Sequence, residues 1–159
     1  MSQQLFPGER VPLPKHELLR VVLGWDAPPT FPITTSCVSM TPEGKVVDVV
    51  TGSVLATKDR AVIVDDKDYT LDLTTDTGLN YIFNVHSAER METVKTLSLA
   101  IVNSNGDIVL RYDQPATFGY KSCVLATIRF RKEWKIRAVG IGGHADSAIA
   151  LIPYLKAVL

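Results

Sequence analysis

The sequence predicts an all-β protein: an antiparallel β-sandwich of about ten strands with a short C-terminal helix. Three observations support this fold class. Short runs rich in β-branched and aromatic residues fill nearly the whole chain, turn residues separate these runs, and only the last segment has a helical pattern. The length of 159 residues suits a single domain, 1–159, that can bury a core of its own.

The first half of the chain contains five predicted strands. They occupy 18–25, 34–40, 46–56, 60–66 and 69–73. The proline turn DAPPT follows the first strand, and TPEGK follows the second, with Pro and Gly where tight turns require them. The strand YTLDL alternates apolar and polar residues with a period of two, which is typical of a half-buried strand.

The second half contains five more predicted strands. They occupy 79–86, 96–103, 108–113, 120–130 and 133–143. The Asn-Gly pair within SNGD, 104–107, predicts a β-hairpin. The polar segment 87–95 fits either one helical turn or a loop. The glycines of GIGG, 140–143, do not open a helix as a phosphate-binding loop would, and we expect them to end a strand and turn the chain.

The C-terminal segment HADSAIALIPYLKAVL is the predicted helix. Ile149, Ile152, Leu155 and Leu159 fall on one stripe at helical spacing. Pro153 either kinks this helix or starts a second short one. We expect the helix to pack over one end of its own sandwich, where it would cover an exposed edge. The alternative is docking on another copy of the chain, which would produce a homo-oligomer.

The overall charge argues against nucleic acid as a partner. Seventeen basic and seventeen acidic residues cancel, whereas binding to a phosphate backbone requires clustered Lys and Arg. The basic run RFRKEWKIR alternates charged and bulky residues, as a solvated strand face does. No run reaches the roughly 18 apolar residues of a transmembrane segment, and the first residues do not form a secretory signal. We expect a soluble, cytoplasmic protein.

The residues that most often carry chemistry form no recognisable catalytic set. Cys37 and Cys123 both lie in apolar strand-like runs, where we expect buried free thiols. The three histidines lie far apart and none has metal-ligand spacing: His16, His86 and His144. We therefore predict no catalytic residues and no enzymatic activity. A thiol enzyme or hydrolase that uses one of the cysteines is the alternative.

One acidic cluster is a candidate metal site. Asp65, Asp66 and Asp68 lie within VDDKD and could supply part of the six to eight oxygens that calcium requires. A charged turn between two strands explains the same residues, because Asp is common in turns.

Several motifs, taken in order, resemble one known family. They are LFPGERVPLPK near the start, VLGWD, the hairpin IVNSNGDIVLRYD and the closing strand EWKIRAVGIGG. This ordered set resembles the TerD family of tellurium-resistance and stress-response proteins, and it extends over nearly the whole chain. The resemblance implies a β-sandwich that usually binds calcium through two acidic segments.

Both acidic segments are altered in this sequence. The first typically reads FDLDAS in the family, and here FPITTS places Pro32 and Thr34 where the family has carboxylates. In the second, Asp65 and Asp66 match the family's paired aspartates, but the upstream Gly-Asp-Asn element is not recognisable. Because calcium affinity depends on the number of charged ligands, we expect calcium binding to be weak or absent.

The resemblance and the missing catalytic set lead to two functional hypotheses. The first is a non-enzymatic TerD-like module that binds protein partners in a stress response and has largely lost calcium binding. The alternative is a binding module that depends on a divalent cation. In that case Asp65, Asp66 and Asp68 would hold the ion, and the ion would gate contact with a partner or an anionic membrane.

Overall fold

The chain folds into two β-sheets that pack face to face, which confirms the predicted all-β sandwich. The computed structural model describes residues 3–14, 17–51, 56–57, 61–65, 68–74, 77–115 and 119–158. Within these ranges it contains twelve strands, one α-helix and a final 3₁₀ turn. Among its helices, none has the length and apolar character needed to cross a membrane.

The elements are numbered in chain order. The strands of the first half are β1 (Gln3–Leu5), β2 (Arg10–Pro12), β3 (Leu18–Asp26), β4 (Thr34–Met40), β5 (Val46–Val50) and β6 (Val62–Asp65). Those of the second half are β7 (Asp68–Asp72), β8 (Asn80–His86), β9 (Thr96–Val102), β10 (Ile108–Pro115), β11 (Ser122–Arg131) and β12 (Glu133–Gly143). The helix α1 (Ala148–Leu155) and the 3₁₀ turn Lys156–Val158 follow.

Each sheet has six strands. The order in sheet 1 is β1-β10-β9-β3-β7-β6, and the order in sheet 2 is β2-β12-β11-β8-β4-β5. The pairing is antiparallel apart from β1, which runs parallel to β10. The ten predicted strands are all present, and β1 and β2 are additional. These two short strands lie at the edges of different sheets, so the N-terminal segment extends from one sheet to the other.

Residues that alternate along the strands fill the space between the sheets. Tyr69 packs edge-on against Phe83 at 5.4 Å between ring centroids, and Tyr81 stacks on Trp134 at 6.2 Å. The first pair joins the two inner faces, and the second lies on the inner face of sheet 2. This is what a sandwich requires, because each sheet buries its apolar face against the other. The loop 87–95 also contributes to the core. Its turns bury Met91 and Val94, so the segment is an ordered loop and not a helical turn.

Helix α1 packs on the outer face of sheet 2 and not over an edge, so the prediction of its position is wrong. It contacts β4 and β8, and its side chains join an outer apolar cluster that includes Val38, Met40, Ile82, Val124 and Val139. The outer face of this sheet is apolar at its centre, and the helix removes that surface from water. The chain therefore covers its own sheet with α1.

The predicted apolar stripe of the helix is wrong at Ile149 and confirmed at Leu155, while Leu159 lies outside the described residues. The buried residues are Ala148, Leu151 and Leu155, whereas Ile149 is 69% exposed. Pro153 lies inside α1 and does not start a second helix. Ser147 caps the N-terminus, where its hydroxyl accepts a hydrogen bond from the main-chain N–H of Ala150 at 3.2 Å.

The glycines of GIGG lie within β12 and extend it to Gly143, so they end the strand only at their last position. The register between β11 and β12 shifts between Val124 and Ala126, opposite Gly140. Gly140 has a φ of +69°, a left-handed value that glycine adopts without strain. This bulge bends the strand next to the site described below.

Candidate functional site

The predicted acidic cluster lies at one edge of sheet 1. Asp65 and Asp68 face each other as the last pair of the β6–β7 hairpin, as expected for a charged turn. Asp66 and the side chain of Asp65 lie outside the described residues. Asp68 is engaged by a basic residue, because its Oδ2 lies 3.8 Å from Nη1 of Arg20 on β3.

The hydroxyl-rich strand β4 lies in the other sheet, and its hydroxyls contact protein groups. Thr35 points into the core, where its Oγ1 lies 2.9 Å from the hydroxyl of Tyr69. Thr34 and Ser36 point to the outer face of sheet 2. Among the described residues, no group of three or more His, Cys, Asp or Glu side chains could hold a metal ion.

A row of polar side chains crosses the outer face of sheet 2. Thr34, His86 and Ser122 lie opposite one another on β4, β8 and β11. The next row contains Ser36 and Asn84 on the same face. All of these side chains except Thr34 are buried. Three neighbouring strands thus place uncharged polar groups under the segment that leads into α1.

The Thr34 hydroxyl fixes the ring of His86. Its Oγ1 lies 2.6 Å from Nδ1 and 3.3 Å from the main-chain oxygen of His86. If the hydroxyl donates to the main-chain oxygen, Nδ1–H donates to Thr34 and Nε2 is an acceptor. If it donates to Nδ1, Nε2 carries the proton. Burial lowers the pKa of His86 to about 4, and the charge of Asp146 opposes this shift.

Three buried polar atoms on this face have no hydrogen-bond partner among the residues that the structure describes: Asn84 Oδ1, His86 Nε2 and Ser122 Oγ. The amide nitrogen of Asn84, in contrast, donates to the main-chain oxygen of Ile82 at 3.2 Å and to Ser36 at 3.4 Å. A buried polar atom without a partner costs about 1–3 kcal/mol. Three such atoms on adjacent strands mark this face as a candidate binding site.

A cleft opens beside these polar rows, and we name it the α1 cleft. Its volume is about 530 Å³. Val124 and Ser122 on β11 and the end of β12 form the floor, α1 forms one wall, and the segment 144–146 forms the other. Ser122 therefore belongs both to the polar row and to the cleft, because its Cα pairs with His86 on one side and Gly143 on the other.

The rim of the α1 cleft is apolar and exposed. Ile141 on β12 is 52% exposed and Tyr154 on α1 is 67% exposed, and both line the cleft. At one end the ring of Tyr120 contacts His144 at 5.5 Å between ring centroids. Asp146 adds a carboxylate. The cleft thus combines apolar surface, aromatic rings and one acidic group.

The cysteines are buried free thiols, as the sequence predicts. Burial raises the pKa of Cys123 to about 12 and raises that of Cys37 further. Both side chains face the core between the sheets. Because the thiolate is the nucleophilic form, neither thiol has the setting of a reactive cysteine.

Sequence reasoning did not find the α1 cleft or the role of His86. One signal was present: NYIFNVH alternates apolar core residues with Asn80, Ile82, Asn84 and His86, all of them uncharged at neutral pH. A strand whose second face carries no charge is a strand buried on both faces. This pattern could have indicated a covered polar row on β8.

No protein-family model matches the chain, and no curated protein matches it. Among solved structures, the chain is similar to a crystal structure described as an unknown function protein, SAV2460. The TM-score is 0.64, and the similarity covers 86% of this chain and 95% of that chain. The two sequences are 16% identical, so the similarity shows a shared fold alone.

Proposed function

We propose that this chain is a non-enzymatic interaction module of the cytoplasm, a divergent TerD-like β-sandwich that binds a protein partner without calcium. The motifs of the family support a role in a stress response. The observation that carries the proposal is the apolar rim of the α1 cleft, where Ile141 and Tyr154 expose more than half of their surface. Exposed apolar side chains around a concave surface are typical of an interaction site.

The state of the altered acidic segments supports binding without calcium. The hydroxyl of Thr34 contacts His86, and the carboxylate of Asp68 contacts Arg20, so protein groups already engage both. A calcium ion would have to displace these contacts, and it would then be surrounded by few negatively charged ligands. The buried thiols support the absence of enzymatic activity, because neither Cys37 nor Cys123 is poised as a nucleophile.

A capture experiment with matched variants tests this proposal. The purified chain is immobilised, partners are recovered from cell extract with calcium and with chelator, and the recovered proteins are quantified. We expect a specific protein to be captured equally under both conditions. The rim variant Ile141→Ser/Tyr154→Ser should lose it. Leu18→Ser should retain it, because Leu18 is exposed on sheet 1, away from the rim.

The same experiment distinguishes the alternative function. Capture that requires calcium, and that is lost in an Asp65→Ala/Asp66→Ala variant, would support a cation-dependent module and overturn the proposal. If the rim variant still captures the partner, the rim of the α1 cleft is not the binding site. A robust turnover activity of the purified chain would overturn its non-enzymatic character.

A further inference from the structure

The α1 cleft has the size and the lining of a small-molecule site. Its volume of about 530 Å³ lies within the roughly 300–1,000 Å³ of typical ligand pockets. Val124, Leu151 and Val158 present apolar surface to it. All three also belong to the outer apolar cluster, so the part of the lining that they form is rigidly packed. A ligand with an apolar body would bury its surface against them.

One polar group in the floor of the α1 cleft is buried and available to hydrogen-bond a ligand. Ser122 is fully buried and lines the cleft, and its Oγ has no hydrogen-bond partner in the described part of the chain. The neighbouring residue is Gly143, which has no side chain. A Cβ at that position would lie 3.2 Å from the Ser122 Oγ and would crowd it, so the glycine keeps this side of the oxygen open. A ligand group that donates a hydrogen bond would satisfy Ser122 and recover the cost of its burial.

The charge of the lining selects the ligand's polar group. Asp146 lines the cleft, and the lining residues that the structure describes include no Lys or Arg. An anionic ligand would meet the Asp146 carboxylate without a compensating cation, whereas a cationic ligand would be attracted to it. The ring of Tyr154 lines the same cleft. An aromatic face also attracts a cation.

We propose that the α1 cleft binds a small organic molecule that carries a primary ammonium group on an apolar body. The ammonium lies between the Asp146 carboxylate and the Ser122 hydroxyl, and the apolar body lies against the floor and the α1 wall. A primary ammonium satisfies both polar groups, because it is a cation and donates hydrogen bonds. This binding uses the same cleft as the interaction module proposed above but requires no protein partner. It is tested with the purified chain alone, so its failure is distinguishable from failure of that proposal.

A matched series of probes tests the charge and the donor separately. The full chain is titrated with 2-phenylethylammonium, 2-phenylethanol and 3-phenylpropionate, which share one apolar body, and with the N-trimethyl form of the amine. Binding is measured by calorimetry and by ¹H–¹⁵N chemical shifts. We expect the primary amine to bind about tenfold more tightly than the alcohol, as for a hydrogen bond that involves a charged group. The carboxylate should bind more weakly than the alcohol.

The trimethyl form keeps the charge and lacks N–H donors, so we expect it to bind more weakly than the primary amine. The shifts should concentrate on Ser122, Gly143 and the start of α1. Equal affinity of the primary amine and the alcohol, tightest binding of the carboxylate, or shifts confined to another part of the chain would each overturn the proposal. So would the absence of binding at millimolar concentrations of the amine.

Variants locate the site. Asp146→Asn should weaken binding of the amine about threefold, as for an exposed ion pair, and should leave the alcohol unaffected. Asp107→Asn is the control, because Asp107 is an exposed acid in the β9–β10 turn of sheet 1, and it should bind the amine like the unmodified chain. Ala150→Phe places a ring in the cleft and should abolish binding while the melting temperature stays unchanged. Unaltered binding by a folded Ala150→Phe chain would overturn the proposal.

Discussion

The hydroxyl oxygen of Thr34 lies 2.6 Å from Nδ1 of His86, across the β4–β8 pair. Thr34 is the residue that stands where the resemblance to TerD proteins expects a carboxylate. In this chain it positions a buried histidine. Its neighbour Thr35 bonds to Tyr69 inside the core, so the hydroxyl-rich strand serves protein contacts on both of its faces.

Removal of the Thr34 hydroxyl should destabilise the fold. We expect Thr34→Val to lower the free energy of unfolding by about 1 kcal/mol, because Nδ1 of the buried His86 loses its partner. Thr34→Ser keeps the hydroxyl and serves as the matched control, which should stay within about 0.5 kcal/mol of the unmodified chain. Urea denaturation at pH 7.5 measures both. Equal stability of the Val and Ser variants would contradict the role given to this hydrogen bond.

The buried His86 should make stability depend on pH. Its pKa is about 4 in the folded chain and 6.5 in the reference state, so between these values the unfolded chain binds a proton that the folded chain does not. The contribution of His86 to the free energy of unfolding is therefore fully present above pH 6.5, and it is lost as the pH falls toward 4. We expect a loss of about 2 kcal/mol between pH 7.5 and pH 5.

Histidine variants assign this pH dependence. Urea denaturation at the two pH values should show a smaller loss for His86→Gln, since glutamine does not titrate. His144→Gln changes an exposed histidine and should retain the full loss. If His86→Gln keeps the same dependence on pH, the buried imidazole is not its source.

The two cysteines should react only when the chain unfolds. Both thiols are buried and their pKa values are raised, so the reactive thiolate is scarce in the folded state. We expect thiol labelling of the native chain to be at least about a hundredfold slower than labelling in urea, because labelling then requires an opening reaction. Rapid labelling of either cysteine in native buffer would support the alternative that the chain is a thiol enzyme.

The glycine at the β12 bulge should not tolerate a side chain. A Cβ at Gly140 would overlap the Tyr112 hydroxyl and the Gln114 side chain, and the φ of +69° adds strain. We expect Gly140→Ala to cost about 3 kcal/mol. Gly8→Ala is the matched control, because Gly8 has a φ of +84° and open space around it. It should cost only about 1 kcal/mol, and equal losses in the two variants would contradict the packing argument.

The sequence was sufficient for the fold class because alternation and turn chemistry are local signals. The sequence pattern did not predict β1 and β2, because strands of three residues are too short to show a period. Part of the α1 stripe was assigned wrongly for another reason. AIALIPYLKAVL is apolar on nearly every side, so a stripe that joins Leu155 to Ile149 and Ile152 fits a helix as well as the buried stripe that joins Leu155 to Ala148 and Leu151.

The candidate site could not be predicted because it depends on tertiary register. His86, Ser122 and Asp146 are far apart in sequence and meet only when β8 pairs with β11 and α1 folds back onto sheet 2. Local patterns do not encode that register. The acidic turn was recognised from its residues, but its contact with Arg20 depends on the β3–β7 pairing.

The most direct test of the central claim, binding without calcium, is a calorimetric titration of the chelator-treated chain with calcium. We expect no binding tighter than about 0.1 mM, as for sites with few charged ligands, and no change in melting temperature at 1 mM calcium that exceeds about 1 °C. Sub-micromolar binding, or a large rise in melting temperature on addition of calcium, would contradict this account of the chain.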